Sequence, residues 1–166
     1  MAGLFHDFLL VSKKKHKYKD YMDLINSKNA LRIHDDLIIY MLDSLKFIPC
    51  HLPRDDNNKL KKCKGLNLYG PTIIRKDGAV LAEKIFQSWA ALFSFGSKHL
   101  RLRGNFTGTE EIIMVDGLEK RVFTDGHYSV IKVNKDVLVN TLKTLSLYCS
   151  EVINSNNSLY ILHLGI

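Results

Sequence analysis

The sequence has few of the residues that mark secreted or membrane proteins. It contains only three cysteines and three prolines in 166 residues. A small, odd number of cysteines argues against a disulfide-stapled secreted domain and favours reduced thiols in a cytoplasm. No apolar run is long enough to span a bilayer, and Asp7 interrupts the first apolar segment, as a signal peptide would not. We therefore expect a cytoplasmic protein.

The motifs of common cofactor sites and catalytic sites are also missing. Neither GxxxxGKS nor GxGxxG occurs, which excludes the usual nucleotide-binding loops, and there is no GxSxG nucleophile elbow. Cys50, His51 and Cys63 are zinc-ligand types within one short stretch. Their spacing offers no CxxC or HxxxH pair and no fourth ligand. We therefore expect neither a metal nor a cofactor.

What the chain does have is enough apolar sequence for a core. Hydrophobic residues make up 46% and charged residues 25% of the sequence, which is typical of one globular domain over residues 1–166. The net charge is +7, and its excess lies in the N-terminal third. The lysine run at residues 13–19 predicts a flexible basic segment over residues 1–19.

Hydrophobic spacing predicts the elements of the first half. The apolar residues of 3–11 lie close to helical spacing, and a clearer helical stripe runs from Leu37 to Ile48. Residues 49–65 are polar and contain two prolines, which predicts a long loop. A strand is expected somewhere within residues 66–74, with a break at Gly70-Pro71, and a helix should begin near Asp77 and end near Gly96.

The second half alternates in a strand-like way before a final helix. Residues 99–106 alternate, and the turn signals at 108–110, 116–117 and 125–126 predict a four-stranded antiparallel meander. Asn134 should cap the last helix. The C-terminal LYILHLGI is almost continuously apolar and predicts an interior strand with a buried His163.

These elements predict an α+β fold. We expect a single domain in which an antiparallel-dominated sheet of about five to six strands packs against three to four helices. The last helix and strand could add one parallel pairing and make the sheet mixed.

One face of the strand at residues 99–106 is the preferred binding surface. His99, Arg101 and Arg103 alternate with leucines and should face solvent. Arginine is enriched at interface hot spots, and long polar loops often serve recognition, so Arg54 in the 49–65 loop is included. The leading hypothesis is a non-enzymatic protein-binding module of the immunity, antitoxin or regulatory type.

Two further interpretations remain open. The basic clusters at 13–19 and 59–64 could bind nucleic acid, although no nucleic-acid-binding motif accompanies them. A membrane surface fits less well, because the apolar segment before the lysine run is about two turns long. The cluster side chains assigned to nucleic acid are Lys13, Lys14, Lys15, Lys17, Lys61 and Lys62.

An enzyme whose site assembles only in the folded chain is the third possibility. Its candidate residues are Asp125, His127 and His163. This version requires the three side chains to converge on one place.

Overall fold

A computed structural model describes residues 4–12, 20–21, 24, 28–53 and 60–166. Its elements in chain order are β1 (Phe5–Ser12), β2 (Leu31–His34), α1 (Asp35–Leu45), β3 (Pro49–Pro53), β4 (Leu60–Lys64), β5 (Pro71–Ile74), α2 (Lys76–Ser94), β6 (His99–Val115), β7 (Leu118–Asn134), α3 (Lys135–Asn154) and β8 (Leu159–Leu164). The predicted α+β class is confirmed. None of the described helices is long and apolar enough to cross a membrane.

The main sheet has six strands in the order β2-β1-β8-β5-β3-β4. Every pairing among these strands is antiparallel, so the possible parallel pair is not formed. The C-terminal strand β8 lies between β1 and β5, and this confirms the interior position that its apolar sequence predicts.

The principal core lies on the face of this sheet that α1, α2 and α3 cover. Phe8 and Ile161 of the sheet are buried there with Phe86 of α2 and Leu142 of α3. The opposite face has a smaller apolar cluster around Tyr160 and Leu162. The central strands are thus buried on both faces.

Burial on both faces explains an error in the first segment. Its apolar spacing predicts a helix, but residues 5–12 form strand β1, in which His6, Asp7, Phe8 and Leu9 are all buried. A strand covered on both faces need not alternate, so its period is ambiguous. This strand belongs to the sheet, whereas the lysine run at 13–19 lies outside the described residues.

The helix ends follow local capping chemistry. His34 begins α1 by accepting a hydrogen bond from the Asp36 amide, and Asn134 begins α3 by accepting from the amides of Asp136 and Val137. The predicted Asn134 cap is confirmed. Helix α2 instead begins without a side-chain cap, and Asp77 lies within its first turn.

Residues 49–65 are not a single loop. Their ends form the hairpin strands β3 and β4, with Cys50 opposite Cys63. Residues 54–59, including Arg54, lie outside the described residues. Polar composition misled the prediction because β4 is an edge strand, where exposed lysines are common.

Candidate functional site

The most unusual feature of the described structure is a long β-ribbon. Strands β6 and β7 have 17 residues each and pair only with one another, apart from the main sheet. Asp116 and Gly117 close the ribbon with φ values of 51° and 77°, as a two-residue hairpin turn requires. We call residues 99–103 and 131–134 the base, residues 104–130 the arm, and residues 110–123 the tip of the arm.

The predicted four-stranded meander is therefore wrong. Residues 108–110 continue β6, and Asp125-Gly126 lies within β7 as a bulge. Asp125 has a φ of 52°, so it uses the same left-handed conformation in the bulge that it would use in a turn. An Asp-Gly pair indicates this left-handed backbone conformation, but it does not distinguish a bulge from a tight turn.

The bulge makes room for an aromatic cluster. A Cβ atom on Gly126 would lie 1.9 Å from the Phe106 ring, so only glycine fits beneath it. The Phe106 ring meets Phe123 and Tyr128 edge-on, with centroid distances of 5.6 and 5.1 Å. Arg103 stacks over the Tyr128 ring at 3.3 Å, which joins the cluster to the base.

The ribbon has two different faces. At the base, Leu100 and Ile131 point inward and are buried in the core. The face opposite them, which we call the outer face, continues from base to tip. Its residues on β6 are His99, Arg101, Arg103, Phe106, Glu110, Ile112 and Met114, and those on β7 are Glu119, Arg121, Phe123, Tyr128, Val130 and Lys132.

The outer face exposes large apolar side chains. Ile112 is 62% exposed, Met114 is 65% exposed and Phe123 is 54% exposed. All residues from Asn105 to Val130 are exposed except Val122 and Thr124, which are half-buried. The opposite face of the tip also exposes Ile113, Val115 and Leu118, but only the outer face continues its apolar surface through Phe123 and Phe106 toward the base. A contiguous apolar surface of this kind is typical of an interaction site.

Charge is divided between the base and the arm. The base has Arg101, Arg103 and Lys132 without an acidic residue. The arm has an acidic excess, with Lys120 and Arg121 as its only lysine and arginine. The acidic residues of the arm are Glu110, Glu111, Asp116, Glu119 and Asp125. Glu110 accepts a hydrogen bond from Arg121 at 3.1 Å on the exposed surface, where such a pair contributes little stability.

The structure brings together three of the sequence-predicted binding residues. His99, Arg101 and Arg103 are exposed along the outer face of the base, as their alternation with leucine predicts. Lys61 and Lys62 are exposed on edge strand β4 of the main sheet. The remaining predicted binding residues lie outside the described residues. They are Lys13, Lys14, Lys15, Lys17 and Arg54.

The enzyme version built on three residues is wrong. His163 is fully buried in the six-stranded sheet, whereas Asp125 and His127 are exposed on the arm in the other sheet. Side chains in these two settings do not line a common cleft.

His163 instead belongs to a buried hydrogen-bonded chain. Its Nε2 lies 2.8 Å from His6 Nδ1, and His6 Nε2 lies 2.9 Å from Asp35 Oδ1. On the other side, His163 Nδ1 lies 3.4 Å from the Thr72 hydroxyl. With both rings neutral, Thr72 donates to His163, His163 to His6, and His6 to the carboxylate. Both imidazoles are fully buried, so this chain satisfies polar groups in the core.

The thiols and His51 form no metal centre in the described part of the chain. No group of three or more ligand-type side chains converges there. Cys50 is buried, and burial raises the pKa of its thiol to about 12. A thiol with this pKa is a poor nucleophile and a poor metal ligand at neutral pH.

Sequence reasoning missed the tip of the arm. The meander prediction makes residues 111–115 a separate return strand, but they continue β6, and Ile112 and Met114 are largely exposed. No clear signal of a long ribbon is present in the sequence, because residues 108–110 and Asp125-Gly126 resemble turns on either side of Asp116-Gly117. Apolar periodicity reveals a strand but does not show whether its apolar face meets the chain's own core.

Comparison with known protein families, curated proteins and solved structures gave no significant match. The function of the outer face is therefore inferred from its geometry and chemistry alone.

Proposed function

We propose that this chain is a protein-binding module whose contact surface is the outer face of the ribbon. The observation that carries the proposal is the exposure of Phe106, Ile112, Met114 and Phe123 along one continuous face. Monomeric soluble proteins seldom expose such a surface unless it binds something.

The physical instability of a lone ribbon supports the same conclusion. Two strands without a covering layer are marginally stable in water. The base is anchored by Leu100 and Ile131, but the arm has no such layer in the described structure. A partner that covers the outer face would supply the missing layer and stabilise the arm.

The charges favour a protein over a nucleic acid as partner. Nucleic-acid affinity comes largely from cations that contact phosphates. The acidic excess of the arm would oppose this, whereas Arg101 and Arg103 beside exposed aromatic rings are typical of protein hot spots. An immunity, antitoxin or regulatory role is the class of function that this surface fits. The free cysteines support a reducing, cytoplasmic location.

Photo-crosslinking at matched positions tests the proposal. A benzoyl-phenylalanine replaces Ile112 on the outer face or Ile113 on the opposite face, and the adducts formed in source extract are identified by mass spectrometry. We expect discrete protein adducts from position 112 and far fewer from position 113. Adducts with nucleic acid, or equal labelling from both positions, would contradict the proposal.

Charge reversal at the base gives a quantitative second test. The double variant Arg101→Glu and Arg103→Glu should weaken binding of the identified protein at least tenfold, about 1.4 kcal/mol or more. Both side chains are exposed, so the free energy of unfolding should fall only by the loss of the Arg103–Tyr128 stacking, about 0.5–1 kcal/mol. Unchanged affinity would remove the base from the contact surface.

A further inference from the structure

The outer face is complementary to itself when it is turned end to end. Its base carries Arg101, Arg103 and Lys132, and the outer face of its tip carries Glu110 and Glu119, with Arg121 as the one cation, beside Ile112 and Met114. Phe106 lies at the middle, seven residues after His99 and eight residues before Met114. A two-fold axis near Phe106 would therefore set the tip of one ribbon against the base of another.

We propose that the protein bound by the outer face is a second copy of this chain, with the two ribbons packed face to face and antiparallel. This inference rests on the proposed function, because it names the partner of that surface. In such a two-fold contact each residue pair occurs twice. The aromatic clusters around Phe106 meet at the centre, and each apolar tip, with Glu110 and Glu119, covers the basic base of the other copy.

The base has a surface suited to the tip. His99, Arg101 and Lys132 border a shallow hollow on the ribbon. A strand advances about 3.3 Å per residue, so the hollow and Met114 lie at similar distances, about 25 Å, on either side of Phe106. The apolar Met114 side chain would enter the hollow of the second copy while Glu110 and Glu119 approach its arginines.

The area of the outer face is that of a weak, reversible dimer. Strands of 17 residues extend about 55 Å, and a two-stranded ribbon is about 10 Å wide. Two such faces cover about 1,100 Å² in total, which is just below the roughly 1,200 Å² of stable specific interfaces and within the range of transient ones. A reversible dimer with micromolar affinity is therefore the expected strength.

Sedimentation velocity of the purified full-length chain tests the dimer. We expect a reversible monomer–dimer equilibrium between about 1 and 200 µM, in keeping with micromolar affinity. The outer-face variant Ile112→Asp with Met114→Asp should weaken dimerisation at least tenfold. The matched control is Ile113→Asp with Val115→Asp, which places the same charges on the opposite face of the same strand and should dimerise like the wild type.

Charge exchange tests the antiparallel arrangement. Variant one carries Arg101→Glu and Arg103→Glu, and variant two carries Glu110→Lys and Glu119→Lys. Each alone should dimerise at least tenfold more weakly than the wild type, because like charges meet at both ends. An equimolar mixture should recover the wild-type dimer, since opposite charges then meet at both ends. A mixture that stays monomeric would overturn the arrangement.

The outcomes separate this inference from the proposed function. A wild-type chain that stays monomeric at about 200 µM, far above a micromolar dissociation constant, overturns the self-pairing. If crosslinks from position 112 then identify a different protein, the binding-module proposal stands without the dimer. If position 112 yields no protein adduct and the chain is monomeric, both proposals fail. Equal loss of dimer in the outer-face and opposite-face variants would also overturn the assignment of the contact to the outer face.

Discussion

Mild acid should destabilise this protein through His163. The side chain is fully buried, and burial, followed by the neighbouring His6, holds the pKa of His163 well below 6.5. In the unfolded chain the same imidazole has an ordinary pKa of about 6.5. As the pH falls through this value, the unfolded state takes up a proton that the folded state does not. The free energy of unfolding therefore decreases as the pH falls.

The size of the effect follows from one proton. With His163 neutral in the folded state, the free energy of unfolding falls by about 1.4 kcal/mol between about pH 7.5 and about pH 5.5. His51 adds to the loss in the same direction, because burial and then Arg75 lower its pKa as well. The groups linked to His163 are His6, Thr72 and, through His6, Asp35.

Urea denaturation of the wild type and of His163→Gln at the two pH values isolates this contribution. The glutamine amide keeps a donor for His6 but does not titrate. The variant is expected to be less stable at both pH values, and its loss between them should be smaller than that of the wild type by about 1.4 kcal/mol. Equal losses in the two proteins would refute the assignment of the acid sensitivity to His163.

Three other expectations concern the arm, a helix cap and a thiol. Gly126→Ala should displace the Phe106 ring, because the new Cβ would lie 1.9 Å from it; nuclear Overhauser contacts between Phe106 and Tyr128 that persist unchanged would contradict this. Asn134→Ala should lower the free energy of unfolding by about 1 kcal/mol in urea denaturation through loss of the α3 cap, whereas the exposed, non-capping Asn140→Ala should not destabilise. Iodoacetamide at pH 8 should alkylate Cys63 before the other two thiols, since these are buried; mass spectrometry showing another order would contradict the burial pattern.

Sequence reasoning recovered the class of the fold and several of its elements. Local chemistry within a short window of sequence was enough to predict three elements. These are the apolar C-terminal strand, the Asn134 cap and helix α2. Each of these elements has one clear period or one clear capping residue, and tertiary contacts do not override it.

The errors have specific physical causes. Strand β1 is buried on both faces, so its apolar residues imitate helical spacing. Strands β3 and β4 are polar because they lie at or beside an open edge. Asp125-Gly126 encodes a left-handed residue, which a bulge uses as readily as a turn.

The candidate site was only half predictable. The alternation of His99, Arg101 and Arg103 with leucine identifies the solvent face of the base, and the structure agrees with that orientation. The tip could not be recognised, because Ile112 and Met114 have the same pattern whether they face a core or a partner. The base and the tip share one face because both strands run 17 residues without interruption, and the sequence pattern did not predict this length.

The central claim is that the arm serves association and is not needed for folding, and sedimentation velocity of an arm-shortened chain tests it most directly. Replacing residues 104–129 by Asn-Gly leaves the paired residues Arg103 and Val130 on either side of a two-residue turn, which keeps the base strands and the buried Leu100 and Ile131. We expect a folded chain that sediments as a monomer at concentrations where the full chain dimerises. A shortened chain that dimerises as strongly as the full chain, or that does not fold, would contradict the claim.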